Sequence, residues 1–290
     1  MARLGVLGWP VAHSLSPAIH NAALAALGMR DWRYQRLPVP PALLAETVRS
    51  LRGSGFVGAN VTIPHKRAAC AVADRASEAA RAIGAANTLS FAPDGTIAAE
   101  NTDAPGLIAA LPCRVRGSRA LVLGAGGSAR AAVWALVQEG ASEVLVWNRT
   151  AERAQALARE LGARAVSRPE PAELLINCTS VGLGRSPGGH EEPRAGERSA
   201  SVQPSAKDEA ELNQLALTFD QVAKYAYVVD MVYRAGPTAL LSAAQAHRLN
   251  AVDGREVLVA QGALSFELWT GRPAPLEVMR RAVRAGDETG

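Results

Sequence analysis

A lysine at position 66 and a carboxylate at position 103 are the groups with which this chain could move a proton. Of its 31 basic residues only three are lysines: Lys66, Lys207 and Lys224. A chain that uses arginine almost wherever positive charge suffices keeps a lysine at the end of Asn60-Val61-Thr62-Ile63-Pro64-His65-Lys66. An ammonium can give up its proton when its surroundings lower its pKa, whereas a guanidinium effectively cannot. Position 66 therefore points to proton transfer, with a solvated helix-surface lysine as the alternative. Asp103 closes Glu100-Asn101-Thr102-Asp103 and precedes Pro105. It could pair with Lys66, orienting the ammonium and holding a substrate hydroxyl, or serve only as a helix N-cap.

Around this pair lie hydroxyls and amides. Gly8-Trp9-Pro10-Val11-Ala12-His13-Ser14-Leu15-Ser16-Pro17 follows a strand-like run, and Ser16 before Pro17 reads as a helix start, with Ser16 as N-cap. Free N–H groups and partial positive charge at a helix N-terminus suit a carboxylate, and Ser14 and Ser16 add two donors. Ser16 acting as a cap alone is the alternative. His13 and His20 read as structural. Six of the eight asparagines (Asn21, Asn60, Asn87, Asn101, Asn148 and Asn177) fall in the stretches of interest, as a site recognising several hydroxyls would require.

A second constellation suits a nucleotide. Leu123-Gly124-Ala125-Gly126-Gly127-Ser128 places a glycine turn between an apolar run and a helical one. Such a turn lets the backbone approach a pyrophosphate seated on the helix N-terminus. At the end of the next strand an NAD enzyme would place Asp or Glu against the ribose 2′-hydroxyl. Here stand Asn148-Arg149-Thr150 with Arg153 beyond. Arginine forks and a hydroxyl bind a 2′-phosphate that a carboxylate would repel, which favours NADP(H). The alternative is a pair of solvated surface arginines. Cys178, in Asn177-Cys178-Thr179-Ser180, reads as a small packing residue.

The elements that must position these residues alternate. Residues 3–8, 32–37 and 58–61 read as strands, 17–27 and 42–51 as helices, and 87–91 with 96–100 as a hairpin around Pro93-Asp94-Gly95. Residues 119–123, 143–147, 173–177 and 225–231 read as further strands, with helices at 128–139 and 151–161. This is the pattern of an α/β protein: an N-terminal α/β unit completed by C-terminal helices, and a doubly wound Rossmann-type sheet. The expected domains are 1–104 plus 239–290, and 105–238 with a long loop at about 184–210. Residues 238–285 read as helical, broken at Gly271 and Pro273. No apolar run is long enough for a membrane span. Three scattered cysteines fit neither a disulfide framework nor a zinc site and suggest a reducing compartment, so no metal is expected. A net charge of +4 with dispersed arginines indicates no nucleic-acid partner, while suiting anionic small ligands.

Taken in order, these stretches resemble the shikimate dehydrogenase family. The matches are Gly8-x-Pro10-x-x-His13-Ser14-x-Ser16-Pro17, Asn60-Val61-Thr62-x-Pro64-x-Lys66, Gly84-Ala85-x-Asn87-Thr88, Asn101-Thr102-Asp103-x-x-Gly106, Gly124-Ala125-Gly126-Gly127, Asn148-Arg149-Thr150, Asp230-Met231-Val232-Tyr233 and Gln261. The resemblance implies a cytoplasmic NADP-dependent enzyme interconverting 3-dehydroshikimate and shikimate in aromatic amino acid biosynthesis. It implies Lys66 and Asp103 as the catalytic pair, Ser14 and Ser16 on the substrate carboxylate, and Thr62, Asn87 and Gln261 on ring hydroxyls near Tyr233. Gly124, Ala125, Gly126, Gly127 and Ser128 would bind the pyrophosphate, and Asn148, Arg149, Thr150 and Arg153 the 2′-phosphate. Met231 and Gly254 would lie near the nicotinamide, with Glu78 approaching the cofactor. A quinate/shikimate dehydrogenase and a non-catalytic NADP- or metabolite-sensing homologue are the alternatives. Glutamyl-tRNA reductase, on a similar cofactor domain, would need a nucleophilic cysteine where only Cys70 is available. The oligomeric state is left open, a homodimer among the options.

Overall fold

A run of buried apolar residues separated by glycine turns builds two six-stranded sheets. The computed structural model describes residues 1–183 and 204–285. The first sheet contains β1 (Ala2–Gly8), β2 (Trp32–Pro38), β3 (Phe56–Val61), β4 (Arg75–Ala76), β5 (Thr88–Phe91) and β6 (Ile97–Glu100), in the order β2-β1-β3-β5-β6-β4. Its helices are α1 (Ser16–Ala26), α2 (Leu44–Leu51), α3 (Lys66–Val72), α4 (Glu78–Ile83) and α5 (Asp103–Ala110). The expected hairpin is β5–β6, antiparallel around the Pro93-Asp94-Gly95 turn.

The second sheet is parallel throughout. It contains β7 (Arg119–Leu123), β8 (Glu143–Trp147), β9 (Arg164–Ala165), β10 (Leu174–Asn177), β11 (Tyr227–Asp230) and β12 (Asn250–Asp253), in the order β12-β11-β10-β7-β8-β9. Its helices are α6 (Gly127–Gln138), α7 (Ala151–Leu161), α8 (Ala206–Gln214), α9 (Phe219–Val222) and α10 (Ala239–Ala246). Both faces are covered, so adjacent strand residues enter different cores. Val122, Val146 and Ile176 pack on one side, and Leu121, Leu145 and Leu175 on the other. Strand order reverses at β7, and the crevice beyond the carboxyl ends of β7 and β10 is where open α/β sheets take ligands.

Two expectations are corrected. The first domain does not resume at residue 239, because α10 and β12 belong to the second sheet. Leu240 and Ala243 share a core with Leu121 and Leu175, and β12 pairs in parallel with β11. The chain returns to the first unit only at α11 (Gly254–Thr270) and α12 (Leu276–Ala285). In β12 only Val252 is buried, so its sequence carries too little apolar pattern to read as a strand. The end of the expected loop at 184–210 is also corrected. α8 begins at Ala206 behind a Ser205–Asp208 capping box, so the tail of the expected loop at 184–210 is helical. The loop's residues 184–203 lie outside the described residues.

His20 confirms a structural role. It is fully buried, its ring stacked on Tyr34 at 4.3 Å between centroids, and neither ring nitrogen has a hydrogen-bond partner among the described residues. Burial pushes its pKa down to about 3; the nearby Asn60 side chain pulls the other way without closing a hydrogen bond to either ring nitrogen. The folded state therefore holds His20 neutral while the unfolded chain protonates it below about pH 6.5. Stability from this residue is present above that pH and is lost as pH falls toward 3. Between pH 7 and pH 5 the loss is about 2 kcal/mol. His20→Phe is expected to lose correspondingly less stability than the parent over that interval in urea unfolding. Equal losses would show that His20 finds a proton or a partner inside the fold.

Candidate active site

Lys66 and Asp103 are the first residues of α3 and α5, helices that begin shortly after β3 and β6. The two strand ends bring Lys66 Nζ to 2.7 Å from Asp103 Oδ2, with side chains 11% and 6% exposed. At that burial the pair is largely withdrawn from screening water, which strengthens its mutual attraction. Thr102, not Asp103, is the helix-boundary residue, and it offers no side-chain cap. The Asp103 carboxylate instead accepts from Asn87 Nδ2 (2.8 Å) through its second oxygen. Thr102 Oγ1 (2.9 Å) and Gln261 Oε1 (3.1 Å) also lie within reach of Asn87 Nδ2, so three acceptors share its two protons, and Asn87 Oδ1 accepts from Thr102 N–H (2.7 Å). Gln261 reaches this group because α11 crosses α5 at Gly106, where an added Cβ would lie 2.7 Å from Gln261 Cβ.

The lysine also touches the second unit. Lys66 Nζ donates to Ser128 Oγ at 2.9 Å, in the first turn of α6. Gly127 makes this approach possible, since a Cβ there would stand 2.7 Å from Lys66 Cβ. Nζ has three protons. Asp103 and Ser128 take two, leaving one donor for a ligand.

A cavity of about 340 Å³ opens on the pair, lined by Ser14, Ser16, Thr62, Lys66, Asn87, Asp103, Met231, Tyr233, Gly254 and Gln261 among others. Every residue expected to hold substrate or flank the nicotinamide is thus on one wall or another. The role expected of Ser16 as N-cap is corrected. Leu15 occupies that position, Ser16 opens the helix with Pro17, and Ser14 Oγ accepts from Ser16 N–H at 3.3 Å.

A second cavity, of about 650 Å³, runs from Lys66 along the glycine turn to Asn148, Arg149, Thr150 and Arg153. The two share Ile63, Lys66, Ser128, Cys178, Thr179 and Ser180, so they meet at the lysine. The turn fits a phosphate group. Gly124 has φ +111°, a left-handed conformation, and a Cβ on Gly126 would meet nothing within 4 Å, so backbone lies open where a phosphate would approach. The basic donor set at the far end suits a dinucleotide carrying a 2′-phosphate. Cys178 is a packing residue: burial pushes its thiol well up, and Sγ lies 3.5 Å from Met231 Sδ. Glu78 lines neither cavity; it stands exposed at the start of α4, where a carboxylate favours the helix N-terminus.

The asparagines divide otherwise than expected. Asn60 and Asn87 line the substrate-sized cavity and Asn148 the larger one. Asn21 pairs with the Tyr34 backbone, and Asn101 bridges Ala85 O to Ala104 N–H. Asn177 donates to Asp230 Oδ1 at 2.9 Å, tying β10 to β11. Burial pushes Asp230 up to about 6 against hydrogen bonds from Thr238, Val232 and Asn177. These asparagines satisfy polar groups of the fold itself, work that sequence spacing does not distinguish from ligand binding. Sequence reasoning has no signal for Arg130, one basic residue among many. It is buried, pairs with Glu160 at 2.7 Å, and donates through Nε to the Ile83 carbonyl of the first unit. Gly84 (φ +67°) makes room for it, since a Cβ there would stand 2.9 Å from Nη2.

Known proteins resemble this chain along most of its length. Residues 6–89 match the family model described as shikimate dehydrogenase substrate binding domain. Residues 109–178 match shikimate / quinate 5-dehydrogenase, and 254–284 the shikimate 5'-dehydrogenase C-terminal domain. Shikimate dehydrogenase (NADP(+)) of Methylobacterium radiotolerans is 44% identical over 94% of this chain and 92% of its own length. The Methanopyrus kandleri protein of the same name is 40% identical over 97% and 94%. The crystal structure of shikimate 5-dehydrogenase from Thermus thermophilus in complex with NADP(H) and shikimate superposes with a TM-score of 0.82. It is 39% identical, and the match covers 98% of this chain and 99% of that one.

Proposed function

This chain belongs to the shikimate dehydrogenase family, and on that premise we propose how its residues divide the work of the reaction. The enzyme is an NADP-dependent oxidoreductase that interconverts 3-dehydroshikimate and shikimate, a step of aromatic amino acid biosynthesis. NADPH, when bound, supplies the hydride for the ring ketone. In that direction Lys66 stabilises the negative charge growing on the ketone oxygen through its free N–H and delivers the proton; in the reverse direction it accepts one. Asp103 orients the ammonium and holds the neighbouring hydroxyl. Asn87, Thr62 and Gln261 read the remaining hydroxyls, and Ser14 and Ser16 take the carboxylate at the α1 N-terminus, beside Tyr233. The first sheet with α11 and α12 forms the substrate domain. The second sheet, with Gly124 to Ser128 on the pyrophosphate and Asn148 to Arg153 on the 2′-phosphate, forms the cofactor domain. Met231 and Gly254 flank the nicotinamide end.

The observation that carries this reading is the Lys66–Asp103 pair at the junction of two cavities, one lined by hydroxyl and amide groups and one by glycines and arginines. A purely sensing protein has no use for a buried ammonium–carboxylate pair at that junction. No helix among the described residues is long and apolar enough to cross a membrane. We assign the enzyme to the cytoplasm, on the strength of its biosynthetic role. Quinate is a second substrate to consider, because residues 109–178 match a description that names it. Steady-state assays with shikimate and quinate, each with NADP and NAD, test the assignment. Shikimate with NADP should give the highest kcat/KM. Tight binding of both without turnover would return the chain to the sensing class.

A further inference from the structure

A carboxylate bound by Ser14, Ser16 and a helix end asks for positive charge, and the cavity walls provide little. Among the described residues, Lys66 is the one lysine or arginine lining the cavity, and Asp103 already balances it. A second cation stands behind the serines. Arg36, in β2, donates to the Ser14 carbonyl from Nη2 at 2.8 Å and from Nε at 3.2 Å.

The consequence for Ser14 follows from counting its groups. Its N–H donates to Val11 O at 3.1 Å, its carbonyl accepts the Arg36 fork, and its Oγ accepts from Ser16 N–H. The hydroxyl proton is left, within hydrogen-bond reach of the Tyr233 phenol, so Ser14 and Tyr233 together present one polar wall to a ligand. Ser14 is itself buried, so its orientation is set by these bonds and not by water. The Arg36 charge is also felt inside the cavity. Burial raises the Tyr233 phenol, and Arg36 is among the groups opposing that rise. Burial lowers His13, and Arg36 lowers it further. Both residues line the cavity.

The geometry points to Arg36 as the residue that positions Ser14 and gives the carboxylate end of the cavity its positive charge. It acts through Ser14 and through space, without lining the cavity. The assignment rests on the substrate placement proposed above and adds to it the source of selectivity for an acid. One exposed guanidinium, partly screened by solvent, is worth about tenfold in affinity for a nearby anion.

The test compares Arg36→Ala, Arg36→Lys and Ser14→Ala in the full-length enzyme, using shikimate and its uncharged methyl ester. Arg36→Ala should raise KM for shikimate about tenfold with kcat within twofold, and leave KM for the ester unchanged. Arg36→Lys should recover part of the loss, since an ammonium restores charge without the fork. Ser14→Ala should raise KM for shikimate on its own account. If Ser14→Ala raises it and Arg36→Ala does not, the role given to Arg36 is overturned while the substrate placement stands. If Arg36→Ala weakens acid and ester alike, Arg36 shapes the loop and supplies no charge selectivity, which also overturns the proposal. If neither variant changes KM, the carboxylate does not bind at this end and the underlying placement fails.

Discussion

Lys66→Ala is expected to lower kcat by a factor of about 10² to 10⁴ while KM for shikimate moves by only a few-fold. The asymmetry follows from where the lysine's protons go. Two are committed to Asp103 and Ser128, and in the mechanism proposed the third meets the substrate oxygen. That contact gains most when negative charge develops on the oxygen, so its loss falls on the transition state and little on ground-state binding. The substitution has a second consequence, because it strands a carboxylate that is 6% exposed. Removing one partner of a buried pair costs on the order of 3 kcal/mol, although the Asn87 amide still donates to Asp103 and offsets part of this. The variant must therefore be assayed well below its unfolding midpoint, with a thermal melt beside the kinetics. Lys66→Arg separates charge from proton transfer, since guanidinium preserves the first and cannot perform the second. A wild-type kcat in Lys66→Arg would leave Lys66 only an electrostatic task, and proportionate changes in kcat and KM for Lys66→Ala would make it a binding residue.

The sequence made the chemistry of this centre legible for a compositional reason. A lysine in an arginine-rich chain marks a position where charge alone is insufficient, and glycine turns between apolar runs mark where a sheet presents its strand ends. What remained hidden shares one physical cause: these features arise from packing between elements distant in the chain. Gly106 is legible as a motif residue, but only the crossing of α5 and α11 shows that it brings Gln261 to Asn87. Ser128 could be read as a phosphate ligand, while its hydrogen bond to Lys66 needs the two units side by side. Arg36 and Arg130 look like ordinary surface charge until one is found on the Ser14 carbonyl and the other on Ile83. The strand β12 escapes a reading of the sequence because an edge strand with one buried residue has no apolar alternation to reveal it. The asparagines misled in the opposite direction, since an amide that closes a strand end and an amide that binds a hydroxyl are the same residue in the same place.

If Arg149 and Arg153 bind the 2′-phosphate at the far end of the second cavity as proposed, removing both should nearly abolish the preference for NADP. Arg149 and Arg153 line that cavity, are exposed, and make no ion pair with a described residue. Their forks are therefore available, and little of the gain from a phosphate is spent on breaking an existing bond. A charge-assisted hydrogen bond is worth about 1.5 to 3 kcal/mol, and solvent exposure favours the lower end. Each arginine then contributes about tenfold in affinity. Arg149→Ala with Arg153→Ala should raise KM for NADP about a hundredfold and leave KM for NAD within a few-fold, because NAD has no 2′-phosphate to lose. The kcat with saturating NADP should change little, since both residues stand at the opposite end of the cavity from Lys66. High salt supplies an internal control: it should weaken NADP binding to the parent and barely affect the double variant, because only the parent's contact is a pair of exposed charges. A carboxylate in place of Arg149 should go further and turn the preference toward NAD, repelling the phosphate while accepting from a ribose hydroxyl. Equal weakening of both cofactors in the alanine variant would mean that the arginines hold the adenosine as a surface for stacking. In that case NADP selectivity would have to come from Asn148 and Thr150, the other polar groups on that wall.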